Sequence, residues 1–260
     1  MARCPAIFVS HGSPELALRE TPAHLALKVL GGEVEKPRAV LVVSAHWETG
    51  TPEVATGTAP ETIYDFGGFD PKLRTIRYPA PGAPEVSRRA QSLLAAAGIE
   101  AKENPDRGYD HGVWVPLSLV FPEADVAVAQ LSIQPTAGPR HHHDIGRALR
   151  PLRDEGVMMI TSGSLTHNLG EFFGRAVDAP APVWVTEFNE WVAARLIAGD
   201  REALLDYRSR APHAVRNHPS DEHLLPLFVA LGARFDGEPV ERLHQSYEHG
   251  VIAMDLYRFG

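Results

Sequence analysis

Two histidines follow directly on apolar runs. His11 stands after Ala6–Val9 in Ser10-His11-Gly12-Ser13-Pro14, and His46 stands after Ala39–Ser44 in Ser44-Ala45-His46-Trp47-Glu48. An apolar strand that ends in an imidazole, with a glycine next to it to permit a sharp turn, delivers that ring to the carboxyl edge of a sheet. In open α/β sheets this edge is where ligands bind. Neutral imidazole is a ligand for Fe, Zn, Cu and Ni, and a site with three protein ligands keeps coordination positions open for a substrate. A third candidate is His223, in Ser220-Asp221-Glu222-His223-Leu224-Leu225-Pro226, where an apolar helical stretch begins and Ser220 or Asp221 is placed to cap it.

Two more histidines belong to the same argument. His167, in Ser162-Gly163-Ser164-Leu165-Thr166-His167-Asn168, lies just past the apolar run Val157–Thr161, and His111 lies between Asp110 and Gly112. Each has the chemistry of a ligand, an acid-base group or a substrate contact, because an unperturbed imidazole titrates near pH 6.5. The run His141-His142-His143 carries less, since adjacent helical residues point in different directions; it is expected to be a solvated helix start.

The elements that must hold these groups follow from periodicity. Ala6–Val9, Ala39–Ser44, Val126–Ile133 and Val157–Thr161 are short runs with no polar alternation, which suits strands buried on both faces. Helical spacing marks Glu85–Ala97, with Gly98 placed to stop it, then His143–Arg153 and Val185–Ala198. The alternation predicts an α/β fold: a mostly parallel central sheet covered by helices on both faces. Val240–Tyr247 and Val251–Tyr257 predict a C-terminal hairpin around Glu248-His249-Gly250.

The stretch from Thr58 to Pro84 has little periodicity but carries Tyr64, Phe66, Phe69 and Tyr78. Loops of more than roughly 15 residues without structure of their own are usually functional or disordered, and the aromatics favour a pocket wall. Gly67-Gly68 permits close backbone approach there, and Arg74 or Arg77 is expected to meet a substrate carboxylate.

Composition sets the outer limits. The 260 residues are 44% apolar and 22% charged, with a formal charge of −8 spread without blocks. One domain over residues 1–260 is expected, with neither nucleic acid nor membrane as partner. The single cysteine, Cys4, fits a reducing compartment, and a cytoplasmic location is expected.

The ordered set His11-Gly12-Ser13-Pro14, Val43-Ser44-Ala45-His46-Trp47, Tyr64-Asp65-Phe66-Gly67-Gly68-Phe69, Tyr78-Pro79-Ala80-Pro81-Gly82, Asp110-His111-Gly112, Ser162-Gly163 with His167-Asn168-Leu169, and Glu222-His223 with Leu225-Pro226-Leu227 spans nearly the whole chain. It resembles the DOPA-dioxygenase-type branch of the class III extradiol ring-cleavage dioxygenases. The resemblance implies that His11, His46 and His223 hold one divalent metal and that His167 is the catalytic acid-base group. It implies that His111 lines the substrate site, and the matching loop motif puts Tyr64, Asp65 and Phe66 beside it. The expected partners are a catechol-type small molecule and O2. Fe(II) is favoured for activity, although three neutral imidazoles are also a zinc set; Zn(II) is then an occupant of purified protein. Glu222 is an alternative source of a carboxylate ligand. A zinc-dependent hydrolase and a non-enzymatic binding or signalling protein on the same fold are the rival readings; a tetrapyrrole metal chelatase is a more distant one.

Overall fold

The computed structural model describes residues 3–260. From β1 (Ala6–Ser10) the chain passes through α1 (Pro22–Glu33) into β2 (Ala39–Glu48) and β3 (Glu53–Ala55), then α2 (Pro84–Ala96), β4 (Lys102–Asn104) and α3 (His111–Val120). Next come β5 (Ala127–Ile133), α4 (Gly138–Leu149), α5 (Pro151–Asp154) and β6 (Val157–Gly163). A helical section follows: α6 (Leu169–Phe172), α7 (Val183–Ala198), α8 (Arg201–Leu205), α9 (Tyr207–Arg210), α10 (Ala214–Asn217) and α11 (Leu225–Ala233). The last strands are β7 (Val240–His244), β8 (Tyr247–Glu248), β9 (Ile252–Ala253) and β10 (Leu256–Phe259).

Eight strands make one sheet in the order β4-β3-β5-β2-β6-β1-β10-β7. Its centre, β5-β2-β6-β1, is parallel throughout, and these are the four runs that lack polar alternation in the sequence. The reason is visible in the packing, because alternate side chains enter two different cores. Phe8, Leu41, Val43 and Met159 face one core with residues of α2, α4 and α11. Ile7, Val9, Val42 and Ile160 face the other with residues of α1 and α3. Burial on both faces leaves no strand position where a polar residue would be solvated.

The sheet is antiparallel at β3–β5 and through the β1–β10–β7 edge. The expected C-terminal hairpin is therefore present as β7 and β10, with a register break between Leu256 and Tyr257, and β8 pairs with β9 at its tip. Gly98 takes φ +77 just past α2, as a glycine stop should.

Three expectations need correction. β2 runs on to Glu48 rather than ending at Ser44, so His46 lies inside the strand, beyond Ser44, the last residue paired with β6. The helix expected over His143–Arg153 starts at Gly138 and is interrupted before Pro151, whose ring removes a donor and clashes with the preceding turn. The histidine run is not solvated, since His142 and His143 are buried. His142 accepts from the Gln134 N–H at 3.1 Å and donates to the Gly138 carbonyl at 2.7 Å, so it is a structural residue. Among the described residues no helix is long and apolar enough to cross a membrane.

Candidate active site

The parallel strands bring distant histidines to one edge. The His11 N–H bonds the Gly163 carbonyl at 2.9 Å, which ties the end of β1 to the end of β6, and Gly12 takes φ +58 to turn the chain away. His46 reaches the same point from β2, with its Nε2 3.0 Å from His11 Nε2. His223 arrives from the turn before α11, its carbonyl held by the Ser164 N–H at 2.8 Å. One ring nitrogen from each of His11, His46 and His223 lies within 4.8 Å of the others. The helix after His223 is capped differently from the expectation. Asp221 contributes its carbonyl to the Leu224 and Leu225 N–H groups, while its carboxylate takes the Tyr207 hydroxyl at 2.6 Å and Arg208.

The outer side of each ring decides what the inner side offers. His11 Nδ1 is 2.9 Å from Ser162 Oγ, and the Ser162 hydroxyl donates to the Gly112 carbonyl. Ser162 can then only accept from His11, so the His11 proton is on Nδ1 and its Nε2 carries a lone pair. His223 Nδ1 faces Glu222 Oε1 at 3.0 Å, and His46 Nδ1 faces Asp65 Oδ2 at 3.5 Å. Burial, reinforced by mutual repulsion among the histidines, pushes His11 and His223 well below the usual imidazole range. Burial, with His111 adding to it, brings His46 down to about 3. Three neutral rings that each bring one nitrogen to within 4.8 Å of the others, with the His11 Nε2 lone pair turned inward, form a set that a cation would bridge. The residues present fit a divalent metal, with Ser162, Asp65 and Glu222 as the groups that orient the ligands.

Glu222 therefore sits behind His223 and orients it. Glu222→Ala is expected to weaken metal affinity by about 10–100-fold, the usual effect of losing such a partner, while the protein stays folded. A competitive chelator titration measures it; unchanged affinity would show that Glu222 does not orient the ligand.

His167 stacks on His223, with ring centroids 3.5 Å apart and planes at 10°. Its Nδ1 is 3.9 Å from Glu222 Oε1. Burial lowers it to about 4, with Glu222 opposing and His46 and His111 adding to the shift, so it is a neutral base at pH 7. His111 opens α3, and Asp65 Oδ1 accepts both its backbone N–H at 3.0 Å and its Nδ1–H at 2.9 Å. That leaves His111 Nε2 as an acceptor. Burial acts to raise the Asp65 carboxyl, yet the hydrogen bonds from His111 and the neighbouring imidazoles hold it down at about 2.

A second layer was not legible in the sequence. Ser44 Oγ donates to Asp110 Oδ1 at 2.7 Å and accepts from the His46 N–H at 3.2 Å. Arg107 bonds both Asp110 and, at 3.2 Å, the His46 carbonyl. The Asp110 carboxylate, fully buried, is thus occupied in holding β2, and only its backbone carbonyl caps α3. Ser44 and Asp110 both lie in recognisable motifs, but nothing in either motif pairs them across 66 residues.

A cavity of about 280 Å³ opens beside the rings of His46, His111, His167 and His223. Asp65, Phe66, Gly67 and Phe69 from the long aromatic loop form one wall, and Leu169, Phe172 and Phe173 form another. Tyr64, expected on the substrate side, lies behind this wall. Its hydroxyl is spent on the Ile76 carbonyl at 2.7 Å, and its ring packs on Phe66 and Trp114. Arg74 and Arg77 do not line the cavity either: Arg74 donates to the Phe66 carbonyl at 3.1 Å, and Arg77 lies over the Tyr64 ring. Phe172 and Phe173 were missed; the only signal was an aromatic pair in the otherwise polar Gly170-Glu171-Phe172-Phe173-Gly174.

The family described as the catalytic LigB subunit of aromatic ring-opening dioxygenase matches residues 6–259. A Beta vulgaris protein named 4,5-DOPA dioxygenase extradiol is 41% identical over 256 residues, covering 97% of this chain and 95% of its own. An Escherichia coli K12 protein of the same name is 37% identical, covering 99% and 95%. The crystal structure of an uncharacterized protein from Escherichia coli K12 superimposes with a TM-score of 0.85 at 34% identity, over 99% of this chain and all of that one.

Proposed function

This chain belongs to the family of the catalytic LigB subunit of aromatic ring-opening dioxygenases and is an extradiol ring-opening enzyme; from that premise we propose that its substrate is a catechol bound against one metal held by His11, His46 and His223. The observation that supports this assignment is the convergence of one ring nitrogen from each of three buried or half-buried imidazoles within 4.8 Å, with Ser162, Asp65 or Glu222 on the outer side of each ring. We assign residues 1–260 to one catalytic domain and place it in the cytoplasm, a location that its single cysteine suits. The hydrolytic and non-enzymatic readings of the same histidines are not this family's chemistry.

The active ion in this reading is Fe(II); Zn(II), which has no redox change available, fits the same imidazoles without supporting turnover. His11, His46 and His223 would hold the iron, which would supply a positive charge beside the catechol and a redox-active centre for dioxygen.

The protein's own groups do the rest. His167, neutral near pH 7, takes a proton from a catechol hydroxyl, and its conjugate acid, with a pKa of about 4, gives that proton back readily. His111 Nε2 accepts a hydrogen bond from the other hydroxyl, its ring held by Asp65. Phe66 and Phe69 flank the ring and keep water from it. The test is anaerobic purification, Fe(II) reconstitution and oxygen-electrode measurement. Catechol-dependent oxygen uptake is expected; no uptake with any catechol would overturn the reading.

A further inference from the structure

The stretch of β2 that carries His46 is held by side chains rather than by the sheet. Pairing with β6 ends at Ser44, and pairing with β5 breaks between Val43 and Glu48, so Ala45, His46 and Trp47 have no partner in either neighbouring strand. Backbone polar groups away from water need partners, and at His46 both find them on side chains. The His46 N–H donates to Ser44 Oγ at 3.2 Å, and the His46 carbonyl accepts from Arg107 Nη2 at 3.2 Å. Both routes end on one carboxylate: Ser44 Oγ donates to Asp110 Oδ1 at 2.7 Å, and Arg107 Nη2 also donates to Asp110 Oδ2. The Arg107 guanidinium lies 5.2 Å from the centre of the Trp47 ring, one residue on from His46.

The main chain of Asp110 reaches the other side of the cluster. Its carbonyl accepts from the Val113 and Trp114 N–H groups, each at 2.9 Å, and so starts α3, whose first residue is His111. The rings of His46 and His111 have their centres 4.0 Å apart. Gly112 leaves the space this needs: a Cβ there would come within 2.5 Å of Ser44 Oγ and 3.1 Å of both Asp110 Oδ1 and His46 Cδ2. Resting on the reading of His46 as a metal ligand and His111 as a substrate contact, we propose that Asp110 is the positioning residue that fixes one against the other. Its carboxylate gathers Ser44 and Arg107 to hold the His46 backbone, and its carbonyl fixes the helix that carries His111. Asp110 touches neither metal nor substrate; it acts through the two histidines.

Co(II) is the probe, because its ligand-field absorption reports coordination geometry and competitive chelator titration gives its affinity without turnover. Asp110→Asn is expected to weaken Co(II) binding by about 10–100-fold and to shift the absorption bands. Gly112→Ala removes no polar group and favours the helix, yet its methyl displaces Ser44 Oγ, so it is expected to move affinity and bands in the same direction. Ser44→Ala is expected to weaken binding as well, and its combination with Asp110→Asn to fall short of the product of the two single losses, since residues in one hydrogen-bond network are not additive. Glu238→Gln is the control for lost stability alone. It weakens the buried pair with Arg153, which bonds the Cys4 carbonyl ahead of β1, at the far end of that strand from His11; its melting temperature is expected to fall while affinity and bands stay. Folded Asp110→Asn and Gly112→Ala variants with wild-type affinity and bands would overturn the proposal, as would a double variant at the full product or a Glu238→Gln protein with the same shifts. If Asp110→Asn does not fold, Gly112→Ala and Ser44→Ala decide by the same readings. Should His46→Ala retain Co(II) at wild-type affinity, the ligand reading itself falls and the proposal with it; should His46→Ala lose Co(II) while the Asp110 and Gly112 variants keep it, only the proposal falls.

Discussion

His46→Ala is expected to lose bound metal and ring opening together. His46 is the hub of the cluster: its Nε2 is 3.0 Å from His11, its Nδ1 faces Asp65, and its ring lies 4.0 Å from that of His111. Truncation removes one of three ligands, and two imidazoles do not complete a three-ligand site of this kind. Activity is expected to fall to background, with metal content dropping in parallel, and His11→Ala and His223→Ala should behave likewise. Metal analysis and oxygen uptake on the same reconstituted samples measure both, with circular dichroism as the check on folding. A His223→Ala variant that stays loaded and active would move the third ligand to Glu222 or His167, whose donor atoms lie within 4.8 Å of His223 and of each other.

His167→Ala separates the two properties that His46→Ala removes together. His167 stacks on a ligand without being one in this assignment, so the variant should keep most of its metal while the rate falls by about 10² to 10⁴, the usual contribution of a positioned acid or base. His167→Phe is the sharper version, because it retains a ring against His223 and removes only the ionisable nitrogens. The pH profile should change with the rate. Because burial holds His167 at about 4, the wild-type protein keeps this base unprotonated from pH 8 down to about 5, and the limb that reports its protonation lies below that. If either variant comes out metal-free, His167 is a ligand and the roles need exchanging.

Much of this site is legible in the sequence, and for a physical reason. A strand buried on both faces needs an unbroken apolar run, so the four central strands announce themselves. A polar imidazole immediately after such a run, as at His11, has to lie near the sheet edge where the chain leaves the core. His167 follows another such run, the apolar stretch from Leu224 flags His223 at the start of α11, and the ordered motifs attached roles to these two and to His111. Local patterning also placed the aromatic loop as a wall, because so many rings in an aperiodic stretch need something to pack on.

What the sequence could not determine is anything that depends on two segments meeting. The strand carrying His46 runs four residues, Ala45 to Glu48, past its last pairing with β6 at Ser44, and only the pairing of the sheet shows this. The roles of Ser162, Asp65 and Glu222 are set by which nitrogen each one faces, a matter of angstroms between residues that in the case of His11 and Ser162 are 151 positions apart. Tyr64 and Phe66 are two residues apart in one motif, yet one turns back to the Ile76 carbonyl and the other to the cavity. Arg74 and Arg77 carry the right charge for a carboxylate but not the right direction. Residue type and spacing determined which chemistry the chain carries. The tertiary structure decided which atoms face each other, because hydrogen-bond direction and burial arise only when distant segments pack.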